Sequence, residues 1–199
     1  ARDLDMTEVY YGLALQMLTY LDIVLTNSKQ FVGGEAKPAG VLYFHVHNPM
    51  INSKKILTMD QIEKEIFKSF KMKGLVLGDT DIVRLMDQSL ETGNSDMIPA
   101  GIKKDGSLSS RSKAASQEDF HYMRKHVRKL YEASGNRIIS GETDISPYKL
   151  KDRTPCQFCS FRSVCQFDQS LEENEYRVLP TAKPEDLLRK VREEVESNE

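Results

Sequence analysis

Apolar side chains recur at three- and four-residue intervals over Met6, Val9, Tyr10, Leu13, Met17, Leu18, Leu21 and Val24. That is the period of one largely buried helix running from Met6 to about Asn27, with Gly12, Gln16, Tyr20 and Ile23 on a single stripe. After a loop containing Gly33, Gly34 and Pro38, the β-branched and aromatic run 41–47 predicts a strand that stops at Asn48 and Pro49. Thr58 and Gln61 have capping-box spacing and open a second helix with Ile62, Ile66, Phe67 and Phe70 on one face. Asp79 caps a third, carried by Ile82, Val83, Met86 and Leu90 and closed by Gly93. Between 94 and 116 the periodicity fades, which predicts a loop or ribbon with a mobile tip and a short strand at 97–102. Ser116 and Asp119 then cap a helix with Phe120, Met123, Val127, Leu130 and Tyr131 inside and Arg124, Lys125, Arg128 and Lys129 outside. A short strand is predicted at 137–140. A last helix starts at Pro184, with Leu187, Leu188, Val191 and Val195 as its apolar stripe.

With 199 residues, 39% hydrophobic and 29% charged, the chain can bury one core, and a formal charge of −2 names no partner. The most apolar stretch, 9–25, is interrupted by Gln16, Thr19 and Asp22, so it suits a buried helix better than a membrane span. With no signal-peptide order at the start, a cytoplasmic location is expected. The chain opens at Ala1 without Met and enters a patterned helix within a few residues, so a fragment is expected, with active-site residues possible upstream. Charge is uneven along it. Residues 103–130 hold eight Lys or Arg against three acids, 147–165 four against one, and 168–199 five against ten. A solvated face and a solvated tail explain this blandly; a basic patch beside the cysteines favours phosphate contacts.

All three cysteines fall within ten residues, Cys156, Cys159 and Cys165, as C-x2-C-x5-C. Two thiolates separated by two residues can turn onto one centre and the third returns shortly after, whereas an odd number of thiols argues against disulfides. Metal ligation accounts for the spacing; three buried structural thiols leave it unexplained. Zinc and an iron–sulfur cluster both ask for a fourth ligand, and the nearest histidine in sequence, His126, is thirty residues away. His45 and His47 share a strand face without a matching third ligand, which makes them structural or surface residues.

The helix bearing Gln16 and Tyr20 as Q-x-x-x-Y, the strand after it, and the cysteine triplet following a basic helix resemble the RecB-type iron–sulfur nucleases of the PD-(D/E)xK group. The stretches 40–50 and 151–168 narrow the resemblance to the nuclease domains of AddAB-type helicase–nucleases. The resemblance implies an α/β fold, the C-terminal part of a restriction-endonuclease-like domain with helical insertions and a C-terminal iron–sulfur loop. Its parts would be a nuclease portion over 1–150 with an insertion at about 51–116, a cysteine segment over 151–170 and an acidic helical tail over 171–199.

The same resemblance implies a Mg²⁺-dependent exonuclease acting on DNA ends and unwound single-stranded DNA in homologous-recombination repair, paired as a heterodimer with an AddA-like helicase–nuclease subunit. Its catalytic carboxylates and lysine would lie before Ala1; Asp3, Asp5 and Glu8 read as a solvated helix start, and the chain alone is expected not to cut DNA. Gln16 and Tyr20 would support the catalytic centre, although without the family Gln16 reads as a buried polar group and Tyr20 as core. Cys156, Cys159 and Cys165 would bind a structural [4Fe–4S] cluster whose fourth cysteine lies upstream. Arg124, Lys125, Arg128, Lys129, Lys151, Arg153 and Arg162 would contact the phosphate backbone. No phosphate-binding Gly-x-x-x-x-Gly-Lys motif occurs here, so ATP would be used elsewhere. A zinc-stapled module that binds nucleic acid or protein without catalysis is the alternative, and an electron-transfer protein a weaker one.

Overall fold

A computed structural model of the chain describes residues 3–47, 49–172 and 174–197. The first helical stretch is two helices. α1 spans Met6–Tyr10, capped by Asp5, whose carboxylate accepts from the Thr7 amide at 2.8 Å. α2 spans Gln16–Thr26. Gly12 adopts a φ of 77° between them, in the left-handed region that ends a helix, so the single helix expected over 6–27 is corrected. The apolar period survives the break because Met6 and Val9 of α1 and Leu18 of α2 bury into the same cluster. A short α3, Ser28–Val32, follows.

β1, Gly40–Tyr43, pairs antiparallel with β2, Lys73–Leu77, in the register Gly40 to Val76 and Tyr43 to Lys73. The predicted strand is therefore shorter than 41–47, and its expected end at Asn48 lies outside the described residues. Gly74 fixes the register, because a Cβ there would collide with the Val41 carbonyl oxygen. Between these strands α4, Met59–Ser69, has the expected capping box from Thr58 and Gln61. Its apolar face is only half-buried or exposed.

α5, Thr80–Met86, starts at the Asp79 cap and stops well short of Gly93, because the buried Asp87 turns the chain by accepting from the hydroxyls of Ser89 and Ser95, both at 2.6 Å. The stretch that follows is a packed lobe. β3, Gly93–Asn94, pairs with β4, Gly101–Ile102, and Leu90, Ile98, Ala100 and Ile102 bury against Val76 and Val83. β5, Ala114–Ala115, then joins β2 in parallel, completing a sheet of order β1-β2-β5. Alternation along β2 divides the core: Val76 faces that lobe, while Leu75 and Leu77 face the helices.

α6, Gln117–Ile139, begins in the predicted capping box of Ser116 and Asp119. Phe120, Met123 and Val127 are buried as expected, but Tyr131 is half-exposed and His126 takes a buried position instead. The helix continues through 137–139, where a strand was expected; Ile138 and Ile139 lie on the surface with no neighbouring strand to pair, so helical hydrogen bonding persists. β6, Tyr148–Lys149, pairs in parallel with β7, Arg177–Val178. Between them lie a 3-10 turn at Pro155–Phe158 and the single-turn α7, Arg162–Cys165. α8, Pro184–Glu196, buries Leu187, Val191 and Val195. It packs on α1 and α6, so the helix of the acidic C-terminal stretch is part of the core. No helix among the described residues is long and apolar enough to cross a membrane.

Candidate functional site

Because Gly12 ends α1, Gln16 becomes the first residue of α2 and its side chain stands outside the helix. Its amide Nε2 donates to the Tyr20 hydroxyl at 2.9 Å, one turn along, as residues four apart on a helix can. Both side chains are exposed, Tyr20 to 54%, which corrects the reading of a buried glutamine above a core tyrosine. Beside them the Thr19 hydroxyl lies 3.0 Å from that of Tyr131 on α6. A hydroxyl that accepts from Gln16 keeps its own proton to donate, so the pair presents an ordered donor and acceptor to solvent.

The basic residues of α6 divide. Arg124 Nε donates to one oxygen of Asp22 at 2.7 Å and Arg128 Nε to the other at 2.7 Å; Arg128 also donates to the Thr26 hydroxyl at 2.6 Å. Burial would raise the Asp22 carboxyl, but the hydrogen bonds from Arg128 and Arg124 outweigh it and hold it below the usual carboxylate range. Lys129 donates to the Glu194 backbone carbonyl at 3.0 Å. Lys125 is half-buried on the same helix. Arg153 pairs with Glu8, while Lys151, at a φ of 55°, lines a cavity of about 960 Å³. Asp3, Asp5 and Glu8 line that cavity too: Asp5 is an exposed cap that starts α1, as expected, while Asp3 pairs with Lys113 and Glu8 holds Arg153. These acids are engaged with protein groups and do not fit a Mg²⁺ site.

Cys156 on the 3-10 turn, Cys159 after it and Cys165 at the end of α7 line a pocket of about 370 Å³ together with Lys149, Asp152, Arg162, Phe167, Gln169 and Tyr176. Gln157 steadies the turn by donating to the Asp152 carbonyl at 3.0 Å. Among the described residues no three His, Cys, Asp or Glu side chains are gathered closely enough to hold a metal ion. The fit to a cluster lies in the donor chemistry, three cysteines with soft thiols among the lining residues of one pocket. Arg162 sits here with the thiols, away from the arginines that grip Asp22, so the seven basic candidates do not form one surface. His45 and His47 have ring centroids 6.1 Å apart, and His45 leans on Phe70 with centroids 6.5 Å apart.

Sequence reasoning missed His126, Lys149 and Tyr176. His126 is 3% exposed, stacks on Tyr10 with ring centroids 5.6 Å apart, and its Nε2 lies 3.0 Å from the Tyr10 carbonyl oxygen. Lys149 and Tyr176 reach the cysteine pocket through the pairing of β6 with β7, for which no local motif exists.

The family model of the PD-(D/E)XK nuclease superfamily matches residues 1–166, and the chain belongs to that superfamily. Within it, the chain is 57% identical over 197 residues to an ATP-dependent helicase/deoxyribonuclease subunit of Bacillus licheniformis, covering 99% of this chain and 17% of that protein. It is 55% identical over 198 residues to the ATP-dependent helicase/deoxyribonuclease subunit of the same name in Bacillus subtilis, covering 100% of this chain and 17% of that one. The chain thus spans about a sixth of the length of the curated relatives it matches.

Proposed function

We propose that this chain forms part of the nuclease domain of an AddB-like subunit of a helicase–nuclease that processes DNA double-strand breaks. In that reading the complete domain degrades unwound single strands from DNA ends in a Mg²⁺-dependent reaction, with an AddA-like subunit as partner, and leaves a substrate for homologous recombination. Gln16, held by Tyr20, presents its amide to the catalytic centre or to the substrate backbone; the carboxylates and lysine that perform the cleavage are contributed from outside these residues. Cys156, Cys159 and Cys165 ligate a [4Fe–4S] cluster that ties the end of the domain down. When bound, the cluster supplies covalent cross-bracing rather than chemistry on the phosphodiester.

The observation that carries this reading is that three cysteines line one pocket in a chain whose first 166 residues match a nuclease family. Its test uses the full-length subunit with its partner, purified anaerobically. Iron and acid-labile sulfide should be present in comparable amounts, and Cys159→Ala should lose both together with binding to DNA ends. Zinc in place of iron would give the binding-module alternative, and a Cys159→Ala protein that keeps its iron would remove the cluster from these thiols. Gln16→Ala should lower kcat for cleavage while leaving end binding nearly intact; cutting at the parental rate would make Gln16 scaffold.

A further inference from the structure

The wall of the cysteine pocket carries a cation that spacing in the sequence does not announce. Lys149 lies on β6, tied to β7 by the Leu179 amide, which donates to the Lys149 carbonyl at 2.9 Å. Its ammonium stands 5.9 Å from the centre of the Tyr176 ring, and that ring is braced in turn by Phe167, with centroids 4.8 Å apart. All three residues line the same pocket as Cys156, Cys159 and Cys165. No carboxylate pairs with Lys149 among the described residues, although Asp152 lies elsewhere on the same wall. Lys149 is half-buried, whereas Arg162, the other cation of the pocket, is exposed.

We infer that Lys149, seated over the Tyr176 ring, is the fixed counter-charge that retains a thiolate-ligated cluster in this pocket; the inference rests on the cluster reading above. A cluster held by thiolates is a net anion, and removing an anion from water is unfavourable unless an opposite charge or hydrogen bonds replace the lost hydration. A cation on a flexible stem in open solvent does this poorly. One whose stem is pinned by a strand ladder and whose head rests on an aromatic face loses little ordering entropy and acts through a less polar medium. The two cations of the pocket therefore differ in rank: Lys149 governs retention, and Arg162, screened by solvent, contributes weakly. Lys149 is a positioning residue and not a ligand.

The experiment compares full-length subunits carrying Lys149→Met, Lys149→Arg and Arg162→Met with the parent, all purified anaerobically. Iron and acid-labile sulfide per subunit, the rate of iron loss to a chelator and the reduction potential from an EPR-monitored titration are the readouts. Lys149→Met should lose iron at least roughly tenfold faster, in line with other outer-shell replacements, and shift the potential to more negative values because an added electron loses its nearby cation. Lys149→Arg should restore both, and Arg162→Met should stay close to the parent. Lys149→Gln, which keeps a polar stem without the charge, gives the same comparison if the methionine variant fails to fold. A parent that holds iron and sulfide while Lys149→Met matches its release rate and potential overturns the inference alone. A parent with neither iron nor sulfide overturns the cluster reading and this inference with it.

Discussion

Asp22 is the sharpest place to perturb the molecule, since one carboxylate holds two arginines of α6 against α2. In Asp22→Asn the fold keeps its shape, but an amide replaces the acceptor that Arg124 and Arg128 share. Arg124 and Asp22 are largely shielded, with side-chain exposures of 22% and 14%, so the lost charge-assisted bond is worth about 1.5–3 kcal/mol. Arg128 is 55% exposed, and its share falls to about 0.5 kcal/mol after solvent screening. The sum, about 2–3.5 kcal/mol, corresponds to roughly 30- to 300-fold faster amide exchange for the protected residues of α2 and α6, at about 1.4 kcal/mol per tenfold. Peptide-resolved hydrogen–deuterium exchange on the full-length subunit measures it. The sign with pH follows from the depressed carboxyl: the contribution is fully present above the ordinary aspartate range and is lost as pH falls through the lower folded-state value. A second assay bears on DNA. If Arg124 and Arg128 serve phosphates, freeing them should steepen the salt dependence of single-strand binding by about 0.7 per added contact. Unchanged exchange would refute the clamp, and an unchanged salt slope would remove both arginines from the DNA surface.

Leu187→Ala should destabilise the chain by about 3 kcal/mol, because its side chain is 1% exposed among α1 and α6 residues, while Leu188→Ala, only partly buried, should cost about 1 kcal/mol. Denaturant midpoints that do not separate the two variants would contradict a core role for α8. Tyr10, whose hydroxyl is pushed up to about 12 by burial and by its bond to Glu194, should lend about 1–2 kcal/mol that is complete below pH 10 and disappears between pH 10 and about 12. Tyr10→Phe should flatten that alkaline loss of stability, and a parental profile in the variant would dismiss the assignment.

Elements whose stabilisation is local were readable in the sequence. The capping boxes at Thr58 and Ser116, Pro184 at the start of α8 and the stripe of Leu187, Val191 and Val195 all behave as their spacing says. The break at Gly12 was hidden because two short helices bury Met6, Val9 and Leu18 in one cluster and so mimic a single period. The helical fate of Ile138 and Ile139 was hidden because β-branched residues favour a strand only where another strand can receive them. For the site, the cysteine spacing announced a shared pocket. The wall opposite the thiols was illegible, since Lys149 and Tyr176 arrive there through a parallel pairing that joins segments almost thirty residues apart.

The uneven charge of the chain has its explanation in the same packing. Asp22, which reads as an interruption in an apolar helix, is the acceptor that Arg124 and Arg128 require, and α8 brings Arg192 to Glu118 and Asp119 at the start of α6. Tyr122 donates to Glu196 at 2.6 Å, adding a further tie between α6 and α8. Charge that looks like a nucleic-acid face along the sequence is thus substantially consumed in joining α2, α6 and α8. Of the predicted phosphate contacts, Lys151 and Arg162 of the cysteine segment enter no ion pair among the described residues and line its two cavities. Any phosphate contact made by these residues should therefore centre on that segment rather than on α6, and neutralising Lys151 and Arg162 together should flatten the salt dependence of DNA binding more than neutralising Arg124 and Arg128 does.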